Sequence, residues 1–420
     1  MHSTHLDPDH FARFQSSLAR KDLIAHLRAG LIGENVMVPG PNGAHPMIYA
    51  DYVASGRALT LIESFVTSEI LPFYANSHTE ASYCGQMMTR LRKQARQIIL
   101  DACGGDERHA VIFTGAGATA GLNRCVGLMG VSGAAQGGAR PLVLVGPYEH
   151  HSNILPWRES GAEVVEIPEA PNGGPDLAAL QTALKAGAGR PMLGAFSAAS
   201  NVTGIVTDVA AVTEILKSHG AKSVWDYAGG GPYLPIDMGA GMDAVVVSPH
   251  KFIGGPGASG VLILRRDAVA VNVPTLPGGG TVRFVSPWAH DYSEDVVARE
   301  EGGTPNVVGD IRAALCFMVK DAIGASMFAE RLEQLRQRAL ARWSQTPGLH
   351  LYGNPSAKQV LPIFSFGVAD GAGGTVHQQL VTRILSDHFG IQARGGCACA
   401  GPYAHRLLGI DADQSKAMRG

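Results

Sequence analysis

Short apolar runs alternate with longer segments compatible with amphipathic helices from Ala110 to about Leu264. The runs are Ala110–Phe113, Leu142–Val145, Val164–Ile167, Met192–Phe196, Ser223–Trp225, Ala244–Val247 and Gly260–Leu264. They are rich in β-branched residues and nearly continuous in hydrophobicity, the pattern of strands buried on both faces. Helical stretches between them predict a mainly parallel, seven-stranded sheet covered by helices. Before this block, Phe11 to about Leu31 reads as helical, followed by a Gly/Pro-rich extended stretch through Pro46. After it come a Gly-rich connection at 277–280, a helix near Asp310–Ala322 and a longer amphipathic helix ending near Trp343. The last third predicts a smaller α+β domain, with strands near Val360–Gly367 and Ile391–Ala393. Such a domain would normally continue with another strand and helix, so it reads as abbreviated or cut short. No internal repeat is present.

Composition narrows the class further. The 420 residues are 45% hydrophobic and 17% charged, with a net charge of -2. This suits a folded chain with a large core and gives no basic footprint for nucleic acid or anionic membrane. No apolar run approaches the roughly 20 residues needed to span a bilayer, and the N-terminus lacks the order of a signal peptide. The six cysteines are scattered, which argues against a disulfide framework and for a reducing cytoplasm. Cys397 and Cys399 are the exception, since they share one Gly-rich loop.

In open α/β sheets ligands bind beyond the carboxyl ends of the strands, and the chemistry-bearing residues cluster at those predicted ends. Lys251, in Ser248-Pro249-His250-Lys251, follows the apolar run ending at Val247. A desolvated amine there can form a Schiff base with an aldehyde such as that of pyridoxal phosphate. Gly115-Ala116-Gly117-Ala118-Thr119 turns from a strand into a helix, either as a phosphate cradle or as a plain tight turn. Glu149-His150-His151-Ser152-Asn153 follows the next strand. Its imidazoles could stack on an aromatic ring, carry protons or simply hold structure, and no third ligand at useful spacing supports a metal. Asn201, after the fourth run, could hold a phenolic oxygen or make an Asx turn. Asp226 closes the fifth, as a partner for a protonated ring nitrogen or as a turn aspartate.

In chain order these are the parts of one cofactor site. On them the chain resembles the class V branch of fold type I pyridoxal phosphate enzymes, specifically the cysteine desulfurase/selenocysteine lyase group. The resemblance runs from about Ile48 to His405. Ile48–Ser55 looks like the family's substrate-site strand and turn, which places Ala54 at the substrate, and Asn76-Ser77-His78-Thr79 looks like its access loop. Glu149–Trp157 is similar to its stacking-histidine motif, with His150 in the stacking position. Ser248-Pro249-His250-Lys251 is similar to its lysine motif, and with Ala118, Thr119, Asn201 and Asp226 it would bind the cofactor. Gly303-Thr304-Pro305-Asn306 resembles the segment that reaches a partner's phosphate, so the resemblance implies a homodimer in which Thr304 serves the neighbouring site. Arg394 falls where the family binds the substrate carboxylate, alongside Asn201.

The nucleophilic cysteine of the subgroup with a short catalytic loop lies five residues after that arginine, which here is Cys399. The resemblance implies that Lys251 moves the α-proton and that Cys399 takes sulfur from L-cysteine, leaving L-alanine and a persulfide for a sulfur-acceptor protein. Residues 1–45 would pack with the small domain, 46–309 form the large cofactor-binding domain and 310–420 the small C-terminal domain. The chain departs from the pattern at Gly229, where the family has a glutamine. It departs again at Cys397 and Ala398, where histidines often stand. Two other readings keep these residues. One is a class V aminotransferase, lyase or epimerase acting on another amino acid. The other is a non-catalytic scaffold whose thiol pair binds a metal or acts in redox exchange.

Overall fold

The computed structural model describes residues 9–77 and 80–419. Its centre is a seven-stranded sheet of β1 (His109–Gly115), β2 (Leu142–Val145), β3 (Glu163–Glu166), β4 (Met192–Ser197), β5 (Lys222–Asp226), β6 (Ala244–Val247) and β7 (Gly260–Arg265). The spatial order is β1-β7-β6-β5-β4-β2-β3. Neighbours from β6 to β3 pair in parallel, whereas β7 runs antiparallel to both β6 and β1. The carboxyl ends of β1, β2, β4, β5 and β6 therefore share one edge. Every residue of β2 and β6 is buried, which explains why these strands carry no polar alternation. The seven apolar runs of the sequence are the seven strands.

One face of the sheet is covered by the helices Tyr83–Ala102 and Val307–Ile323. Tyr83–Ala102 buries Met87, Met88, Leu91, Ala95 and Ile99, a helical stripe that drives the packing. Asn306 caps Val307–Ile323 by accepting from Gly309 N–H at 3.1 Å. Twelve residues of that helix are buried, nine of them in the main hydrophobic core, so the expected boundary at 310 falls inside a core element.

The first 45 residues divide between two places. Helices His10–Leu18 and Leu23–Ala29 are separate, broken at 19–22 where Arg20 pairs with Asp22. Their buried Phe11, Phe14, Leu18, Leu23 and Leu27 join the main core, and Phe14 meets Phe65 edge-on at 5.2 Å. The antiparallel hairpin Met37–Gly40/Gly43–Pro46 meets a helix of the C-terminal region, Gln378–Phe389. The sequence expectation placed the whole segment on the small domain; the apolar stripe of the two helices takes them to the larger core instead.

The C-terminal region carries sheet only in pairs. Leu349–Tyr352 pairs antiparallel with Ser365–Val368, and Ile391–Gln392 pairs in parallel with Ile48–Tyr49. The second pairing has a consequence for the site. Its register sets Gln392 opposite Tyr49, so two residues further on Arg394 comes opposite Asp51. Among the described residues no helix is long and apolar enough to cross a membrane.

Candidate active site

A cavity of about 230 Å³ opens at the shared carboxyl edge. Of the residues singled out in the sequence, Ala54, Ala118, Thr119, His150, Asn201, Asp226, Ser248, His250, Lys251 and Arg394 line it. Cys399 and Thr304 do not. Thr304 is exposed in the loop before Val307–Ile323. His78 and Thr79 of the expected access loop lie outside the described residues.

Lys251 ends a single helical turn, Pro249–Lys251, directly after β6. Burial lowers its pKa; Asp226 opposes that shift and Arg394 reinforces it. The neutral amine is thereby favoured over its exposed form. The segment 54–56 packs on this turn, with Gly56 N–H donating to His250 O at 2.9 Å. A Cβ at Gly56 would lie 1.8 Å from Phe252 O, so only glycine allows the approach.

The turn after β1 places Gly117 at φ 58°, at the start of the helix Gly117–Leu128. An added Cβ would sit 2.9 Å from His250 Cε1 and 3.0 Å from Ser248 Oγ. Ala118 N–H donates to Ser248 Oγ at 2.9 Å, which pins the helix start to the lysine turn. Thr119 and Ser152 hydroxyls, 2.7 Å apart, close the side of this cradle. The first turn of a helix presents N–H groups without intrahelical partners, together with the positive dipole end.

His150 is half-buried and its pKa is lowered to about 4, first by burial and then by Lys251, His151 and Arg394. Ser152 N–H donates to its Nδ1 at 3.1 Å. A neutral imidazole whose Nδ1 accepts carries its proton on Nε2. Buried Glu149 locks this turn to β4, accepting from Ser197 N–H at 2.8 Å, Ser197 Oγ at 2.6 Å and Asn153 Nδ2 at 2.5 Å. Burial outweighs these donors and raises its pKa to about 7. Asp226 is 3% exposed and accepts from Ala228 N–H at 2.8 Å. Burial raises its pKa, opposed by that N–H and by Lys251.

Arg394 Nε contacts both oxygens of Asp51, at 3.1 and 3.2 Å. The contact engages the side chain at Nε, and Arg394 lines the cavity. Asn201 does more than line the wall. Its Nδ2 donates to Ala398 O at 2.7 Å, reaching into the cysteine loop.

That loop is strained. Ala398 and Cys399 have φ of 48° and 56°, and Ala400 N–H closes on Cys397 O at 2.9 Å. Positive φ at both central residues defines a type I′ turn, with no glycine to make it easy. Three contacts hold it from outside. Besides Asn201, His151 N–H donates to Cys399 O at 2.7 Å, and His151 Nε2 accepts from Gly401 N–H at 2.9 Å. Cys399 is exposed, yet close enough to Lys251 to act on its amine electrostatically. Its carbonyl is hung on the residue beside His150. His151, Asp51 and Glu149 were not assigned from the sequence. The partners of the first two are hundreds of positions away and gave no local signal, while Glu149 could have been flagged as a buried carboxylate among strand ends.

Fold and site together define a class of α/β enzymes. The aminotransferase class-V family model matches residues 48–419, and the chain belongs to that family. Curated relatives include a cysteine desulfurase of Klebsiella pneumoniae subsp. pneumoniae, 30% identical over 86% of each chain. A probable cysteine desulfurase of Halalkalibacterium halodurans is 28% identical, also over 86% of each. The apo cysteine desulfurase of Thermococcus onnurineus NA1 superposes with a TM-score of 0.72 at 26% identity, covering 87% of this chain and 88% of that one. A cysteine desulfurase of Escherichia coli, with a TM-score of 0.70 at 24% identity, shares the fold over 86% and 87%.

Proposed function

We propose that this chain is a pyridoxal phosphate-dependent cysteine desulfurase. The carrying observation is the clasped turn that holds Cys399, five residues after Arg394, within electrostatic reach of Lys251 in the cavity. The donor set suits a flat phosphorylated ring. The start of Gly117–Leu128 with Thr119 and Ser152 would take the phosphate, neutral His150 would cover one face, and Asp226 would meet a protonated ring nitrogen. Ser248 and His250 shape the wall beside Gly117, and Lys251 Nζ would carry the covalent link. When bound, the cofactor supplies an electron sink for the substrate's α-carbon.

The residues of the chain do the rest. The Arg394 fork binds the α-carboxylate of L-cysteine, with Asn201 and Ala54 bordering the same space. Lys251 Nζ, favoured neutral by burial, accepts the α-proton. The Cys399 thiolate attacks the substrate sulfur as the carbon–sulfur bond breaks. The balance is L-cysteine plus Cys399–SH giving L-alanine plus Cys399–S–SH, with no external oxidant or reductant. Thr304 would complete the site of a second copy in a cytoplasmic homodimer, and a sulfur-acceptor protein would take the persulfide.

The test is incubation of the purified holoenzyme with L-cysteine, measuring alanine and protein-bound sulfane sulfur. Cys399→Ser should abolish both, while an aminotransferase or lyase acting at the same lysine would survive the change. Lys251→Ala should lose the visible absorbance of the covalently held cofactor. Protein that never acquires that absorbance refutes the enzyme reading in favour of a scaffold. Sedimentation of a fully active monomer would refute the dimer.

A further inference from the structure

Cys397 has no part in the chemistry above, yet it stands apart from the other spare thiols. Cys103, Cys125 and Cys316 are buried, and burial pushes each up to about 12, which leaves them inert as nucleophiles. Cys84 is half-buried. Cys397 is exposed and opens the same strained turn in which Cys399 is the third residue. The hydrogen bond from Ala400 N–H to Cys397 O closes that turn at 2.9 Å. A chain folded this way brings residues i and i+2 to a Cα separation of about 5.5 Å. Even direct disulfide bonding usually takes about 4.4–6.8 Å between Cα atoms, so a sulfur carried outward on one thiol lies within reach of the other. The clasp by Asn201 and His151 fixes Ala398 O and Cys399 O, so Cys399 stays by the cavity. Cys397 lies before the clasped residues, next to Gly395 and Gly396, the latter at φ 116°. Among the described residues no group of three metal-ligating side chains surrounds the pair.

We propose that Cys397 is a second sulfur-carrying site, which takes the terminal sulfur from a Cys399 persulfide; the inference rests on the desulfurase reading above. The Cys397 thiolate attacks the outer sulfur of Cys399–S–SH. A bond forms between Cys397 Sγ and that sulfur, and the bond from Cys399 Sγ to it breaks, with the electron pair returning to Cys399. One thiolate and one persulfide are consumed and one of each is made, so no oxidant or reductant enters. Cys399 is regenerated for another round, and the sulfur waits on an exposed thiol.

The experiment uses holoenzyme and L-cysteine with no added thiol acceptor, followed by alkylation, peptide mass spectrometry and alanine counting. Wild type should release about two alanines per chain in the initial burst and carry sulfane sulfur on both cysteines. Cys397→Ser and Cys397→Ala should halve the burst to about one and confine the sulfur to Cys399. Cys399→Ser should leave Cys397 unmodified. Alanine formed with sulfur on Cys399 alone, as one sulfane or a longer chain, overturns the relay and leaves the desulfurase reading standing. A Cys397–Cys399 disulfide with released sulfide also overturns it, because the inner sulfur would then be the one attacked. No alanine from wild type removes the desulfurase reading itself, and the relay with it.

Discussion

Removing the imidazole of His151 should slow sulfur transfer without touching the cofactor. Ala398 and Cys399 both occupy the left-handed region, which costs a non-glycine residue about 1–2 kcal/mol each, so the turn stores about 2–4 kcal/mol. Against it stand the three contacts from Asn201 Nδ2, His151 N–H and His151 Nε2. Each contributes about 0.5–1.5 kcal/mol net, or about 1.5–4.5 kcal/mol together. The two sums are comparable, so the turn is balanced and the loss of one contact matters. His151→Ala leaves Gly401 N–H without its partner and withdraws about 1 kcal/mol, which lowers the equilibrium constant for the competent turn about fivefold and, from a balanced start, its population about threefold. The alanine burst rate should fall by the latter factor, with KM for L-cysteine and the cofactor absorbance unchanged. His151→Gln, which can still accept from Gly401, should recover part of the rate. Adding Ala398→Gly to His151→Ala should also recover it, because glycine adopts positive φ without strain. A wild-type burst rate in His151→Ala would refute the clasp. So would failure of both rescues while the rate is low, since a general structural defect would not be repaired by relieving strain at one turn.

Three other outcomes follow from the same geometry. Arg394→Lys keeps the charge but loses the planar fork, and should raise KM for L-cysteine at least about tenfold with a smaller change in kcat; an unchanged KM would place the carboxylate elsewhere. Gly117→Ala sets a Cβ 2.9 Å from His250 at a positive φ, and should weaken cofactor uptake about tenfold or more in an absorbance titration. Glu149 is raised from 4.5 to about 7 by burial, so between those pH values the native state holds a proton that the unfolded chain has released. Stability from this group is present below pH 4.5 and lost as pH rises towards 7, on the order of 3 kcal/mol. The denaturation free energy of wild type minus that of Glu149→Gln should therefore fall with rising pH across that window, and a flat difference would refute it.

The sheet was legible because its strands are buried on both faces: a run such as Ala244–Val247, apolar at every position, has few other places to go. The placement of Lys251, His150 and Asp226 was legible for the same reason, since the first two follow their strands within a few residues, Asp226 ends its own, and the carboxyl ends converge. The exception inside the sheet is β7, whose antiparallel direction leaves no mark on its own composition. Its neighbour β6 precedes it directly in the chain, whereas β1 lies about 145 positions earlier. The N-terminal helices show the limit of a periodic pattern, which tells that Phe11, Phe14 and Leu18 share a face but not which core receives it.

The cysteine loop shows that limit at the site itself. Spacing from Arg394 picks out Cys399, but nothing local in Cys397-Ala398-Cys399 signals a type I′ turn, because neither central residue is one that favours positive φ. The conformation is imposed from outside by Asn201 and His151, about 200 and 250 positions earlier. An isolated loop of this sequence would relax into an ordinary negative-φ turn and swing both thiols. The strain therefore ties the nucleophile's placement to the folded cofactor edge. His150 and His151 divide the labour there: one side chain lines the cavity while its neighbour anchors the turn that carries Cys399. A change in the β2–β4 region that shifted this pair would move cofactor wall and nucleophile together, and their relative geometry would survive small motions of the sheet.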